Sequence, residues 1–323
     1  MSTLPLCYSQ LTGQEKAKRL LSKTLTSNRL PHGFLFKGPD GVGKCLYGRG
    51  LAAAINCKDG TSIGACGRCS SCRKFYSGNH PDFSVIRPDK GAIKIDQIRQ
   101  LVKSISYPPY ESSMRIVILE DVHTMRREAA NSLLKTLEEP PVGNLLILTA
   151  DSSREVLATL TSRCQVIPFM PLDTEQTCTI LKGHEIEETE ARLLARLSEG
   201  SPGVAIKLHK TEMVPMWGEV VGFLSDPAIH VNRDVGQLLC LAEKMATLKE
   251  MLPAFLGLLR MWIRDLLFNE TEILALLGLN NSVKSWSSKE LYKKLQAIDR
   301  AEQELARNCN KNLVCEVLLF KLQ

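Results

Sequence analysis

The chain has 323 residues, of which 44% are apolar and 24% charged, and a formal net charge of +6. That length holds two or three domains with cores of their own, and the composition is that of a globular protein, which excludes a disordered or fibrous chain. The charge tolerates a polyanionic partner without establishing one.

The first 30 residues carry charged runs and no apolar segment with a cleavage site, so no secretory leader is expected. The helical reading begins at 11–28, where Leu11, Ala17, Leu20, Leu21 and Leu25 share one face. Gly33-Phe34-Leu35-Phe36 reads as a short buried strand, the glycine-rich stretch 38–45 as a loop, and 45–56 as a helix rich in Ala and Leu. A cysteine-rich module interrupts at 57–76. A strand at 83–86 leads into a helix from about Asp96, with Ile98, Leu101, Val102 and Ile105 at helical spacing. Residues 115–119 form a continuous apolar run, as expected of a central parallel strand buried on both faces, and end in Glu120-Asp121. A helix over 127–139 turns Ala130, Leu133, Leu134 and Leu137 inward and is stopped by Pro140-Pro141. Residues 145–149 are a further buried strand, and 154–160 a short helix. Strands alternating with helices predict right-handed crossover units and a parallel sheet covered on both sides. After Pro168 and Pro171 the strand pattern stops; short helices are expected over 174–209 and longer ones over 213–323. The most apolar stretch, 251–268, is broken by Arg260, Arg264 and Asp265, which suits a buried helix and not a membrane span. A cytoplasmic location follows as the expectation, and with it reduced thiols.

Gly38-Pro39-Asp40-Gly41-Val42-Gly43-Lys44-Cys45 matches the phosphate-binding pattern G-x-x-x-x-G-K between a strand and a helix. Its glycines let amide groups converge on phosphate oxygens, the helix N-terminus adds a favourable dipole, and Lys44 reaches the outer phosphates. The pattern fails at Cys45, where a hydroxyl ordinarily helps hold magnesium; a thiol is a soft, poor ligand for that ion. The second half of such a site is an Asp-Glu pair at a strand end, one residue on the metal side and one polarising water. Here the order is Glu120-Asp121. Two departures at one metal predict weak or absent hydrolysis. Thr149 ends its strand and could hydrogen-bond a γ-phosphate or its attacking water, although on pattern alone such a residue is more often just a strand-terminal Thr. Arg163, in Ser162-Arg163-Cys164, could reach a neighbouring subunit's phosphate, while an ordinary surface ion pair is the plainer reading of the residue by itself.

Cys57, Cys66, Cys69 and Cys72 have the spacing C-x8-C-x2-C-x2-C among Gly, Ser, Arg and Lys. Four thiolates can close a tetrahedron around zinc and leave no open position, so the ion would be structural. Unlinked core thiols or a redox pair are the other readings. The remaining seven cysteines show no ligand spacing, and His80 and His123 belong to no triad or metal cluster.

Taken together these segments resemble the clamp-loader subunits of bacterial DNA polymerase III, which are AAA+ proteins, and above all their delta-prime form. The residues that carry the resemblance are Leu11-Thr12-Gly13-Gln14, 31–36, the loop at 38–45, the four cysteines, Asn79-His80-Pro81-Asp82, the run 131–141 (N-S-L-L-K-T-L-E-E-P-P) and Thr161-Ser162-Arg163-Cys164. They cover about 1–210; the tail fits in kind only. The resemblance implies an AAA+ core over 1–172 with the zinc module inserted at 57–76, a small helical lid over 173–210 and a helical collar over 211–323. It implies a five-subunit spiral that opens a ring-shaped sliding clamp and places it on primer-template DNA, with gamma or tau and delta subunits as partners. It makes Arg163 the finger that completes the ATP site of an adjacent motor subunit, Thr149 a sensor, and the four cysteines the zinc ligands. Gly200-Ser201-Pro202-Gly203 stands where motors carry a lid arginine, and the long extension of tau is not expected here.

The reading is therefore a stator subunit whose own ATP and magnesium site is doubtful at Gly38, Gly41, Val42, Gly43, Lys44 and Cys45. Three alternatives stand beside it. One is an ATP-hydrolysing gamma- or tau-type subunit. The second is a stand-alone nucleotide-dependent enzyme such as a phosphotransferase. The third is a zinc-dependent DNA-binding module using Arg68, Arg73 and Lys74. DNA contact in any of these would be to phosphates before bases, because loading must work at any sequence.

Overall fold

The computed structural model describes residues 7–26, 30–59, 64–151, 156–211, 213–225, 235–268, 286–307 and 309–323. Positions 27–28 of the first expected helix and 154–155 of the short one lie outside them, as do parts of the expected helical tail. The chain divides into two compact units, one formed by Met1–Glu185 with Glu199–Val204, the other by Ile186–Ser198 with Ala205–Gln323.

The first unit is built on five parallel strands, β1 (Gly33–Lys37), β2 (Phe83–Ile86), β3 (Arg115–Leu119), β4 (Asn144–Ala150) and β5 (Gln165–Pro168), in the spatial order β2-β3-β4-β1-β5. Register is continuous across the middle: Gly33 lies beside Leu146, Lys37 beside Ala150 and Arg115 beside Asn144. Side chains alternate between the two faces of a strand, and both faces here are apolar. Phe34, Phe36, Ile116, Ile118 and Ile147 face α1 (Glu15–Thr26) and α2 (Lys44–Ile55), meeting Leu21, Tyr47 and Leu51. Leu35, Val117, Leu119, Leu146 and Leu148 face α4 (Ile95–Ile105) and α5 (Arg127–Glu138), meeting Ile98, Leu101, Leu133 and Leu137. A short α3 (Ser70–Ser77) belongs to the cysteine module, α6 (Ala158–Thr161) precedes β5, and α7 (Thr174–Lys182) follows it. The expected parallel sheet and its flanking helices are present.

β5 is the one strand the sequence pattern does not announce. Among the described residues it pairs only with β1, its Val166 is 40% exposed while Ile167 is fully buried, and it ends in Pro168. Proline is tolerated at the end of an edge strand, where its missing donor faces no partner. The same proline makes the sequence look as if strands have already stopped.

The second unit is helical: α8 (Glu188–Leu197), most of α9 (Pro202–Lys210), α10 (Met213–Ser225), α11 (Val235–Ala246), α12 (Leu252–Leu267), α13 (Ser288–Ala306) and α14 (Lys311–Leu322). α12 packs on α13, and α14 on both α13 and α11. α12 buries Phe255, Leu259, Trp262 and Ile263, so the apolar stretch is the buried helix expected there. Ser287 and Glu290 form a reciprocal cap at the start of α13, and Arg260 bridges from α12 to Asp299 at 2.6 Å and Glu302 at 2.8 Å. The boundary between units runs through the stretch 173–210, with α7 on one side and α8 on the other. Among the described residues no helix is long and apolar enough to cross a membrane.

Asn79-His80-Pro81-Asp82 fastens the cysteine module to the sheet. Asp82 is fully buried and accepts amide protons from Tyr110 at 2.6 Å and from Glu111 and Ser112 at 2.9 Å, with Arg115 at 3.8 Å. Burial works against its charge, but the three amides and Arg115 outweigh it and hold the carboxyl below its ordinary value. His80 stacks on Phe75 of α3 with centroids 4.2 Å apart, accepts the Asp82 amide at Nδ1, and meets the Ser71 and Ser112 hydroxyls at Nε2, each at 3.2 Å. Burial lowers its pKa, which keeps the ring neutral and able to accept at Nδ1. Asp82→Ala orphans three amides and should cost about 3 kcal/mol at about 1 kcal/mol each, read as a lower midpoint in urea unfolding.

Candidate functional site

β1 delivers the chain into the loop 38–43, and α2 begins at Lys44, so the loop is a helix N-terminus fed by a buried strand. The close backbone approach requires its glycines. A Cβ on Gly38 would lie 2.4 Å from the Phe169 carbonyl oxygen, and Gly41 and Gly43 have φ of +73° and +96°, where other residues are strained. Val42 turns its side chain into the core, so it offers the loop only its backbone. An open cleft of about 200 Å³ in front of the loop brings Gly43, Lys44 and Cys45 together with Glu120, Asp121 and Thr149. Of the residues proposed from sequence for the catalytic and phosphate side, Gly41, Gly43, Lys44, Cys45, Glu120, Asp121 and Thr149 line this cleft, while Gly38 and Val42 lie in the loop behind it and Arg163 stands apart.

The polar groups of the cleft are engaged with one another. Lys44 Nζ donates to the carbonyls of Gly38 at 2.8 Å and Pro39 at 2.6 Å, and burial lowers its pKa against the pull of Asp40, Asp121 and Asp151. The Gly41 amide donates to its neighbour Asp40 Oδ1 at 2.8 Å. Thr149, almost fully buried at the end of β4, accepts the Asp121 amide at 3.1 Å. Asp121 itself sits in the left-handed region at φ 54°, and burial raises its pKa. Cys45 Sγ donates to Glu120 Oε1 at 2.8 Å, and Arg87 Nε donates to Glu120 Oε2 at 3.1 Å. Burial first, then the Glu120 carboxylate, pushes the Cys45 thiol up to about 12, so it stays protonated.

Working sites of this kind hold magnesium at the positions of Cys45 and Glu120. The residues present do not fit that ion: the thiol is soft and protonated, and both oxygens of Glu120 already accept from neighbours. Sequence reasoning missed Arg87. Its signal was register: Ile86 lies beside Leu119 in adjacent parallel strands, so residues 87 and 120 emerge side by side.

Gly200-Ser201-Pro202-Gly203 closes over the loop from its other side. Ser201 Oγ donates to the Asp40 carbonyl at 2.7 Å and the Gly203 amide to the Gly41 carbonyl at 2.9 Å. A Cβ on Gly203 would lie 2.7 Å from Gly41 Cα, so no side chain fits there while the loop keeps this position.

Arg163 lies elsewhere. It follows α6 and precedes β5, level with the start of β1, while the loop follows the end of β1. It pairs with Glu138 at the end of α5 and donates to the Thr159 carbonyl at 3.0 Å.

The four cysteines of the module place their sulfur atoms within 4.8 Å of one another. Cys66 and Cys72 sulfurs are 3.9 Å apart, close to the spacing of about 3.8 Å that two thiolates on a tetrahedral ion at about 2.3 Å require. Amides of Cys66, Cys69 and Cys72 point at the sulfurs of Cys57, Cys66 and Cys69 at 3.3–3.4 Å. Burial opposes a thiolate at Cys69, yet amide donors from Cys72 and Lys58 outweigh it and bring the thiol down to about 6. Arg68 bridges the module through Asp59 at 2.9 Å. Donor set and spacing fit a thiophilic ion.

A family of DNA polymerase III delta subunits matches residues 13–173. The chain is 34% identical to the delta-prime subunit of DNA polymerase III from Bacillus subtilis over 199 residues, 62% of this chain and 60% of that protein. It is 33% identical to the tau subunit from Escherichia coli over 248 residues, 75% of this chain and 38% of that one. It therefore spans less than two thirds of the length of each of these two relatives. In fold it is similar to a gamma-subunit-related protein of DNA polymerase III from Thermotoga maritima, with a TM-score of 0.52, 17% identity and coverage of 95% of this chain and 98% of the other.

Two measurements check this geometry. Alkylation at mildly alkaline pH, followed by peptide mass mapping, should label the exposed Cys240 and Cys309 and leave Cys45 unmodified, because thiolate and not thiol reacts. Elemental analysis should find one thiolate-bound ion per chain, lost together with several degrees of melting temperature in Cys66→Ser.

Proposed function

The chain belongs with the clamp-loader AAA+ subunits of DNA polymerase III, and within that family we propose that it is a delta-prime-like stator: a subunit that lends Arg163 to a neighbour's ATP site and has weak or no ATPase of its own. The carrying observation is the place of Arg163. β1 runs five residues between the level of Arg163 and the loop, about 16 Å at about 3.3 Å per residue, so Arg163 is at the wrong end of the sheet to serve this chain's own cleft. A nucleotide phosphate that an arginine there could serve would have to belong to another molecule. Its pairing with Glu138 is no obstacle, because both side chains are partly exposed, at 33% and 47%, and such pairs contribute about 0–1 kcal/mol. The misfit of the Cys45–Glu120 side for magnesium supports the same reading from the other direction.

The rest follows from the family. Gamma- or tau-type and delta-type subunits are the proposed partners, and the sliding clamp and primer-template DNA are engaged through the complex. Zinc is the proposed ion of the thiolate cage, in a structural role. Residues 211–323 are the proposed collar, with the lid around 173–210 preceding it.

The motor reading keeps one specific observation in its favour: Lys44 and the loop glycines are intact, and the match to tau extends over 75% of the chain. The stimulated ATPase of the reconstituted complex separates the two. For a stator, Arg163→Ala lowers the DNA- and clamp-stimulated rate by about threefold or more, through loss of a transition-state cation, while Lys44→Ala leaves it unchanged. A rate that falls with Lys44→Ala and stands with Arg163→Ala makes the chain a motor.

A further inference from the structure

We propose that an internal ion pair has taken the place of the magnesium ion in this site, with Arg87 supplying the positive charge and Cys45 the second donor to Glu120, so that the cleft is closed to divalent cations. The proposal deepens the stator reading, and it is tested on the isolated chain so that the two can fail separately.

Two oxygen ligands side by side on an octahedral magnesium at about 2.1 Å stand about 3 Å apart. Cys45 Sγ and Glu120 Oε1 stand 2.8 Å apart, the spacing of two neighbours on a common ion, but what joins them is the thiol proton. The other carboxylate oxygen, Oε2, accepts from Arg87 Nε at 3.1 Å. Each oxygen of Glu120 already has a donor beside it, and the charge that would attract a cation is already neutralised. Guanidinium does not deprotonate in a protein, so this neutralisation persists at every working pH.

The arrangement is held from the backbone. The Glu120 amide donates to the Ile86 carbonyl at 2.9 Å, which fixes residues 87 and 120 next to each other at the ends of β2 and β3. The Arg87 carbonyl accepts from Gln97 Nε2 at 2.8 Å, and Gln97 Oε1 in turn accepts the Lys94 amide at 2.9 Å, so the start of α4 sets where Arg87 leaves the strand. The substitution at Cys45 is thus coupled to a residue more than forty positions away. A hydroxyl at 45 with a free carboxylate at 120 would recreate a hard-oxygen pair; a thiol and an arginine together remove it.

The test is ATP retention by the full chain in equilibrium dialysis, in excess magnesium chloride and in excess EDTA. Wild type should show the same retention in both, within about twofold, whatever its level. Cys45→Thr combined with Arg87→Ala should retain ATP at least about tenfold better with magnesium than with EDTA, a gain of about 1.4 kcal/mol. Arg87→Ala alone changes a mostly exposed side chain, is expected to fold as wild type by circular dichroism, and should show part of that gain. Magnesium-dependent retention in wild type overturns the proposal. So does its absence from the double variant, or from Arg87→Ala if the double variant fails to fold. The complex ATPase is not an input to any of these outcomes.

Discussion

The placement of β1 between β4 and β5 decides almost every distance that matters in the first unit. A parallel strand enclosed on both edges and both faces has one free direction at each end. At its carboxyl end β1 releases the loop, with Thr149 of β4 alongside and Glu120 one strand further on. At its amino end it lies level with Arg163, at the start of β5. One sheet therefore presents the glycine-rich loop at one rim and a cationic side chain at the other, and strand direction alone keeps the two apart within one chain.

Within the cleft, the satisfaction of polar groups has been turned inward. An ammonium that could meet phosphate rests on two loop carbonyls, a loop amide is met by Asp40, and a carboxylate that could meet a metal is met by a thiol and a guanidinium. Each bond is modest by itself, on the order of 1 kcal/mol. Together they leave a ligand little to gain at the metal side while the glycine-dependent loop shape is kept. Gly203 adds a steric counterpart, since its amide bonds the loop and its missing side chain lets two backbones touch.

The cysteine module lies close to the sheet through a different set of contacts. Phe75 of α3 stacks on His80, whose neutral ring ties serine hydroxyls from two segments, and Asp82 gathers the turn at 110–112. The thiolate cage and this buried polar knot share α3, so an ion at the cage would brace the same helix that the knot anchors.

Much of this was legible in the sequence, because it is written in local pattern. Strand and helix periodicity gave four of the five strands and the helices around them, glycine positions gave the loop, and spacing gave the thiolate cage; each depends on residues within a few turns of one another. Both departures at the metal side, Cys45 and Glu120-Asp121, could also be read as residue types out of place. What the sequence left open depends on residues far apart in the chain. β5 was hidden because its four residues are legible as a strand only against the edge of β1. Arg87 carried no motif; it became part of the site only when β2 and β3 paired in a register that set it beside Glu120. The side of the sheet on which Arg163 stands was likewise undecided until β5 took its direction. Local pattern fixes what each segment becomes, but which charges meet is set by the register between strands, and register exists only once the sheet has formed.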